Sequence, residues 1–148
     1  MKKLYLLLTV LSLLSITLNI SDIRFKLIKC RLSDDEQWTI IENLSNKFKL
    51  NMSYDFDAAE TETSIIKYNL LHKLSHYTIN DVDAGLTGLC TTYTQAFVDI
   101  LQSDYNIKCK RIDKEHHSYV YIEMSSGSYE LDITSYCNSN KGMYCFVR

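Results

Sequence analysis

The sequence predicts an α+β domain, with helices first, a mainly antiparallel sheet after them, and a cysteine opening the last helix before the sheet. Three observations carry this. Up to about Ser103 the apolar residues recur at steps of three and four, the period of an amphipathic helix. From Ile107 onward the period falls to two, the pattern of half-buried strands. Ser125-Ser126-Gly127 then separates two alternating runs, which makes a hairpin and hence antiparallel pairing. Helical segments followed by a run of strands is the order expected of an α+β fold.

The 148 residues are one domain's worth, enough for a single core without staples. A net charge of −2, with no basic run interleaved with aromatics, argues against nucleic acid as the main partner. The five cysteines, Cys30, Cys90, Cys109, Cys137 and Cys145, are an odd number. In an oxidising compartment four can pair and leave one free thiol; in a reducing one all five are thiols. The spacing does not set a connectivity.

Lys2 and Lys3 precede an apolar run, Leu4 to Ile20, which reads as a secretory signal or an N-terminal membrane anchor over residues 1–20. Residues 22–148 then form the single domain, secreted or held at a membrane through residues 1–20, outside the cytoplasm. Ile23, Phe25 and Leu27 alternate with polar residues as a short strand. Ser33-Asp34-Asp35-Glu36 is a capping box opening a helix with Trp38, Ile41, Leu44 and Phe48 on one side, Trp38 read as core. Residues 51–57 are a polar connection with scattered aromatics. A second helix is expected over 58–76, burying Ile65, Ile66, Leu70, Leu71 and Leu74. His72 and His76 on that helix have metal-ligand spacing but no third ligand, and are read as surface residues.

A loop over 78–88 leads to the cysteine helix. Leu89, Tyr93, Ala96, Phe97, Ile100 and Leu101 make its apolar stripe. Cys90 falls in its first turn, where unpaired backbone N–H groups and the helix dipole favour a thiolate. Strands follow over 107–112, 117–124 and 129–134, and a fourth over 143–147. His117 opens the second of these strands and Asp132 lies in the third. Adjacent strands can set an imidazole beside a carboxylate, and a helix on that sheet can bring its cysteine to the imidazole. A thiolate nucleophile needs this arrangement, in which the imidazole moves the proton and the carboxylate orients the imidazole. His116 is the competing base. Cys109 reads as a core thiol or half of a disulfide. A zinc site from Cys90, Cys109, His116 and His117 lacks any C-x-x-C pair to support it. The sequence calls for no metal and no cofactor.

These residues also carry a resemblance. Gly88-Leu89-Cys90-Thr91-Thr92-Tyr93-Thr94-Gln95-Ala96-Phe97 resembles the G-x-C-x-x-Y-x-x-A-F segment of the transglutaminase-like superfamily, the papain-like cysteine enzymes. Asn106-Ile107-Lys108-Cys109 is similar to its G-I-x-C segment, with asparagine for glycine. His117-Ser118-Tyr119 resembles H-A-W, and Asp132-Ile133-Thr134 resembles D-P-T. The likeness covers about residues 64–136. It implies a papain/transglutaminase-like core with Cys90 as nucleophile, His117 as general base and acid, and Asp132 as the orienting carboxylate. It favours His117 over His116 through the spacing to the aromatic at 119. Val120 stands where the family has asparagine, a departure with consequences for substrate handling. The backbone N–H of Cys90 would supply half of an oxyanion hole, and Tyr77 is a guess for the side-chain half.

The expected function is cysteine-dependent acyl transfer on a protein, peptide or other amide substrate. Hydrolysis is favoured over cross-linking, because a short domain has little room for an amine acceptor. The alternative is a catalytically inactive binding module on the same fold at a membrane or cell surface.

Overall fold

The computed structural model describes residues 32–60, 65–67, 70, 75–139 and the backbone of 145–147. The expected leader over 1–20, the strand near Ile23–Leu27, Cys30, Leu71, His72 and Leu74 lie outside these residues. Among the described residues no helix is long and apolar enough to cross a membrane.

The first helix, α1 (Asp34–Asn51), begins where its sequence says it should. Ser33 Oγ accepts from the Glu36 N–H, and Glu36 returns a carboxylate oxygen to the Ser33 N–H at 2.8 Å. Ile41, Leu44 and Phe48 are buried, whereas Trp38 is only half-buried. It lies edge-on to Tyr129 at 5.0 Å, packed on the rim of the sheet instead of in the core. The Asp34 carboxylate reaches past its own helix to accept from the Ser125 and Ser126 N–H groups of the hairpin turn. The Ser126 and Ser125 hydroxyls, and after them these two N–H groups, hold its carboxyl down at about 2.

Residues 51–88 depart from the expected helix-then-loop. They contain β1 (Ser53–Tyr54), the single turn α2 (Phe56–Ala59), helical backbone at 65–67 and 70, α3 (Ile79–Asp83) and β2 (Thr87–Gly88). β1 and β2 pair in parallel, Ser53 with Thr87 and Tyr54 with Gly88. Ile65, Ile66 and Leu70 are exposed, not buried. The helical period predicts a common face for them, but period alone does not say that such a face is covered. α3 forms inside the expected loop because Thr78 and Asp81 cap it, the Asp81 carboxylate accepting from both the N–H and the hydroxyl of Thr78.

The helix α4 (Cys90–Ser103) buries its whole predicted stripe, from Leu89 through Leu101. It lies on β3 (Cys109–Lys114) and β4 (His117–Glu123), which continue through β5 (Ser128–Leu131) to β6 (Cys145–Val147). All three strand pairs are antiparallel, in the order β3-β4-β5-β6. Along β4, Ser118, Val120 and Ile122 are buried while Tyr119 and Tyr121 are half-buried, the alternation read from the sequence. Phe48 of α1 meets Phe97 of α4 edge-to-face at 5.1 Å, closing the core between helices and sheet. α5 (Ile133–Asn138) packs against α1 and α4. The expected third strand therefore stops at Leu131, three residues early. Asp132 ends it by capping α5, accepting from the Ser135 N–H at 2.9 Å.

Candidate active site

Cys90 occupies the first position of α4, and the local sequence explains why the chain turns into a helix there. The Leu89 N–H donates to Thr92 Oγ1 at 3.1 Å, satisfying a backbone group at the helix start. Gly88 is required by close approach: a Cβ there would stand 2.3–2.6 Å from three atoms of the Thr92 side chain. The glycine two residues before the cysteine thus lets Thr92 fold back under the turn that presents the sulfur.

Beyond the C-terminal end of α4 the chain turns into the sheet that carries His117. Asn106 has φ of 55°, the left-handed region that asparagine tolerates better than most residues and that glycine adopts freely. The next N–H, that of Ile107, returns to the Leu101 carbonyl at 2.9 Å. Asparagine therefore serves at a turn that glycine also suits. The chain then enters β3, makes a two-residue turn at Glu115-His116, and starts β4 at His117.

His117, Asp132 and Cys90 meet. His117 Nε2 lies 2.9 Å from Asp132 Oδ1. The imidazole also acts on the Cys90 thiol, which borders the same cleft, and Nδ1 is the ring nitrogen left open by the bond to Asp132. Tyr119, two residues along the strand, sets its ring edge-on to the imidazole with centroids 4.9 Å apart. Asp132 does not lie within a strand as expected, yet its helix-capping position holds it better: Ser135 donates both its N–H and its hydroxyl to the carboxylate, at 2.9 and 2.7 Å.

The electrostatics follow from these contacts. Burial raises the Cys90 pKa, but the hydrogen bond and charge of His117 and the Ser118 N–H outweigh it, leaving the thiol below its ordinary value. His117 is pushed up to about 10, first by the hydrogen bond to Asp132 and then by that to Cys90. Burial likewise raises the Asp132 carboxyl, and His117 and Ser135 together bring it below the usual carboxylate range. All three shifts favour thiolate, imidazolium and carboxylate over their neutral forms. Ser118 is itself held in place, its carbonyl accepting from Thr94 Oγ1 at 3.1 Å and its hydroxyl donating to Asp113 at 2.6 Å.

The sulfur and imidazole open onto a cleft of about 510 Å³. One wall is apolar, formed by Tyr54, Ala59, Ile65 and Leu89; the other is polar, with Arg111, Asp113 and the turn residue His116. Arg111 is tied to Asp113 at 3.0 Å. Several sequence readings change here. His116 is exposed on the cleft rim and is not the residue hydrogen-bonded to Asp132. Val120 is fully buried in the core and does not border the cleft. Tyr77 is buried with its hydroxyl on Ser75, and its backbone N–H donates to Asp99 at 2.9 Å; it does not line the cleft. Tyr54 does, and sequence reasoning missed it, because a two-residue parallel pairing leaves no periodic signal. His76 is exposed, 3.5 Å from Asp99 Oδ2.

Cys90, Cys109 and Cys137 are free thiols, and the side chains of Cys30 and Cys145 lie outside the described residues. Cys109 is buried behind α4, its S–H directed at the Val98 carbonyl, so it cannot join Cys90 in a common zinc site. Among the described residues no group of three or more histidine, cysteine or acidic side chains is arranged to hold a metal. The chain matches no family model, no curated protein and no solved structure among those compared.

Proposed function

We propose that this protein is a cysteine-dependent acyl-transfer enzyme of the transglutaminase-like, papain-like kind, acting on amide bonds of a protein or peptide. The observation that carries the reading is the hydrogen-bonded His117–Asp132 pair beside Cys90 at a helix start, open to a cleft. Cys90 as thiolate attacks the amide carbonyl, and His117 gives its proton to the leaving amine. In the second half His117 takes a proton from water, which attacks the thioester and expels the thiolate. Asp132 keeps Nδ1 aimed at sulfur throughout and stabilises the imidazolium. Hydrolysis is the preferred outcome over transfer to an amine, given the small domain. The domain works outside the cytoplasm, delivered or anchored by residues 1–20.

The inactive-module alternative calls for a sulfur remote from the imidazole, and the shared cleft of Cys90 and His117 does not favour it. The test is competitive alkylation of the folded protein with iodoacetamide, followed by mass mapping. Cys90 is expected to react first near neutral pH, and His117→Ala to slow it by about tenfold or more, since each unit by which the thiol pKa rises removes tenfold of the thiolate. Slow and equal labelling of the cysteines in the unmutated protein would replace the enzyme reading with the binding module.

A further inference from the structure

We infer that the hydroxyl of Tyr54 is the side-chain donor of the oxyanion hole, working with the backbone N–H of Cys90 on the carbonyl oxygen of the scissile amide; this rests on the acyl-transfer reading. Attack by sulfur forms the S–C bond and moves the carbonyl π pair onto oxygen. That oxygen needs donors already in position. The Cys90 N–H is one, because the first N–H groups of a helix have no intrahelical acceptor.

The fold delivers the second. β1 pairs Tyr54 directly with Gly88, two residues before the nucleophile, and the Asp55 N–H donates to the Gly88 carbonyl at 3.1 Å. The tyrosine backbone is therefore fixed to the same turn that presents the sulfur. Its ring is held between Phe56, at 4.9 Å, and Tyr93, at 6.3 Å, and Tyr93 itself is fully buried. Tyr54 borders the cleft together with Cys90, Thr91 and His117. Among the described residues its hydroxyl makes no hydrogen bond, so the O–H is available to a ligand. Burial, and then the charge of Cys90, raise its pKa, so the group stays protonated and remains a donor through neutral pH. Two other polar side chains of the cleft are already committed. Arg111 is engaged by Asp113 and Gln95, and Ser118 Oγ is committed to Asp113.

Two reactions of Cys90 separate this role from a structural one. Alkylation by iodoacetamide displaces iodide at a saturated carbon and builds no oxyanion. Acylation by 4-nitrophenyl acetate passes through a tetrahedral oxyanion, forms the acetyl thioester and releases 4-nitrophenolate. In the full chain, Tyr54→Phe keeps the ring packing and removes only the donor. The acylation burst is expected to slow by about 100-fold, in the range for loss of one oxyanion donor. The alkylation rate is expected to stay within about twofold of the unmutated protein. Unchanged acylation would overturn the assignment, and so would equal loss of both reactions, which would make Tyr54 a packing residue. If the unmutated protein shows neither a burst nor fast alkylation, the acyl-transfer reading falls, and the assignment of Tyr54 falls with it.

Discussion

Cys90, at the start of α4, and Cys109, on β3 behind that helix, differ in what surrounds them. Burial is the largest influence on both thiols, and in both it opposes ionisation. At Cys109 the next influence is the negative charge of Asp99, and the thiol is pushed up to about 12. At Cys90 the next influences are the His117 imidazole and the Ser118 N–H, and the thiol falls below its ordinary value. An unreactive sulfur on β3 thus lies against the core side of the helix, and a thiol of lowered pKa stands at the helix's open end. Helix position and partial burial do not make a cysteine reactive by themselves; an imidazole whose own charge is secured by a carboxylate does.

The strongest way to break that contrast is to leave Cys90 and His117 in place and weaken only the carboxylate. Asp132→Asn keeps a side chain able to cap α5 and removes the carboxylate whose hydrogen bond, and then charge, raises His117. His117 should then fall back toward its ordinary value and the Cys90 thiol should rise. Alkylation of Cys90 at pH 7 is expected to drop by about tenfold or more, while Cys109 remains as unreactive as before. The whole pH–rate curve for Cys90 should shift to higher pH. A curve that stays in place would mean that Asp132 only caps the helix.

How much of this was legible in the sequence depends on the distance over which each signal acts. The stripe from Leu89 to Leu101 and the alternation along β4 were readable because they are periodic and face a core. Cys90, His117 and Asp132 were readable as an ordered set, and the structure brings all three together. The boundary at Asp132 was misread because strand propensity at Leu131 and Ile133 hid a side-chain cap, which is a single hydrogen bond and not a pattern. The stretch from 51 to 88 was the least readable. Its short parallel pair joins residues far apart in the chain, and its apolar residues Phe56, Ile66 and Leu70 remain exposed. Tyr54 was hidden for the same reason: only pairing with Gly88 brings it to the cysteine.

A smaller change tests whether the open end of α4 is built as tightly as its core side. Gly88→Ala puts a Cβ inside the Thr92 side chain, and the chain must shift at the turn that presents sulfur. Overpacking of this kind costs roughly 1–3 kcal/mol, measurable as a lowered urea midpoint. Alkylation of Cys90 should slow as well, because the displaced turn carries it away from His117. Loss of stability with full reactivity would show that the turn can relax without moving the cysteine.

The smallest expected effect is the pH dependence of stability, and it separates the two thiols once more. His117 has its pKa raised from 6.5 to about 10 in the fold. The fold therefore binds a proton that the unfolded chain releases. The resulting stability is complete below pH 6.5 and is lost as pH climbs toward 10. Cys90 acts in the opposite sense: its lowered pKa adds stability at high pH that is lost as pH falls through the folded value. Cys90→Ser removes that opposing contribution and leaves the pull of Asp132 on His117. In this variant stability should decline between pH 6.5 and 8.5, by at most about 1.4 kcal/mol per pH unit. Adding Asp132→Asn should flatten the decline over the same interval. Cys109 and Cys137, both pushed up to about 12 by burial, contribute chiefly above pH 9, where the unfolded thiols ionise and the folded ones do not. Equal slopes in the single and double variants would mean that Asp132 does not hold the charge on His117, and the contrast between the two thiols would need another cause.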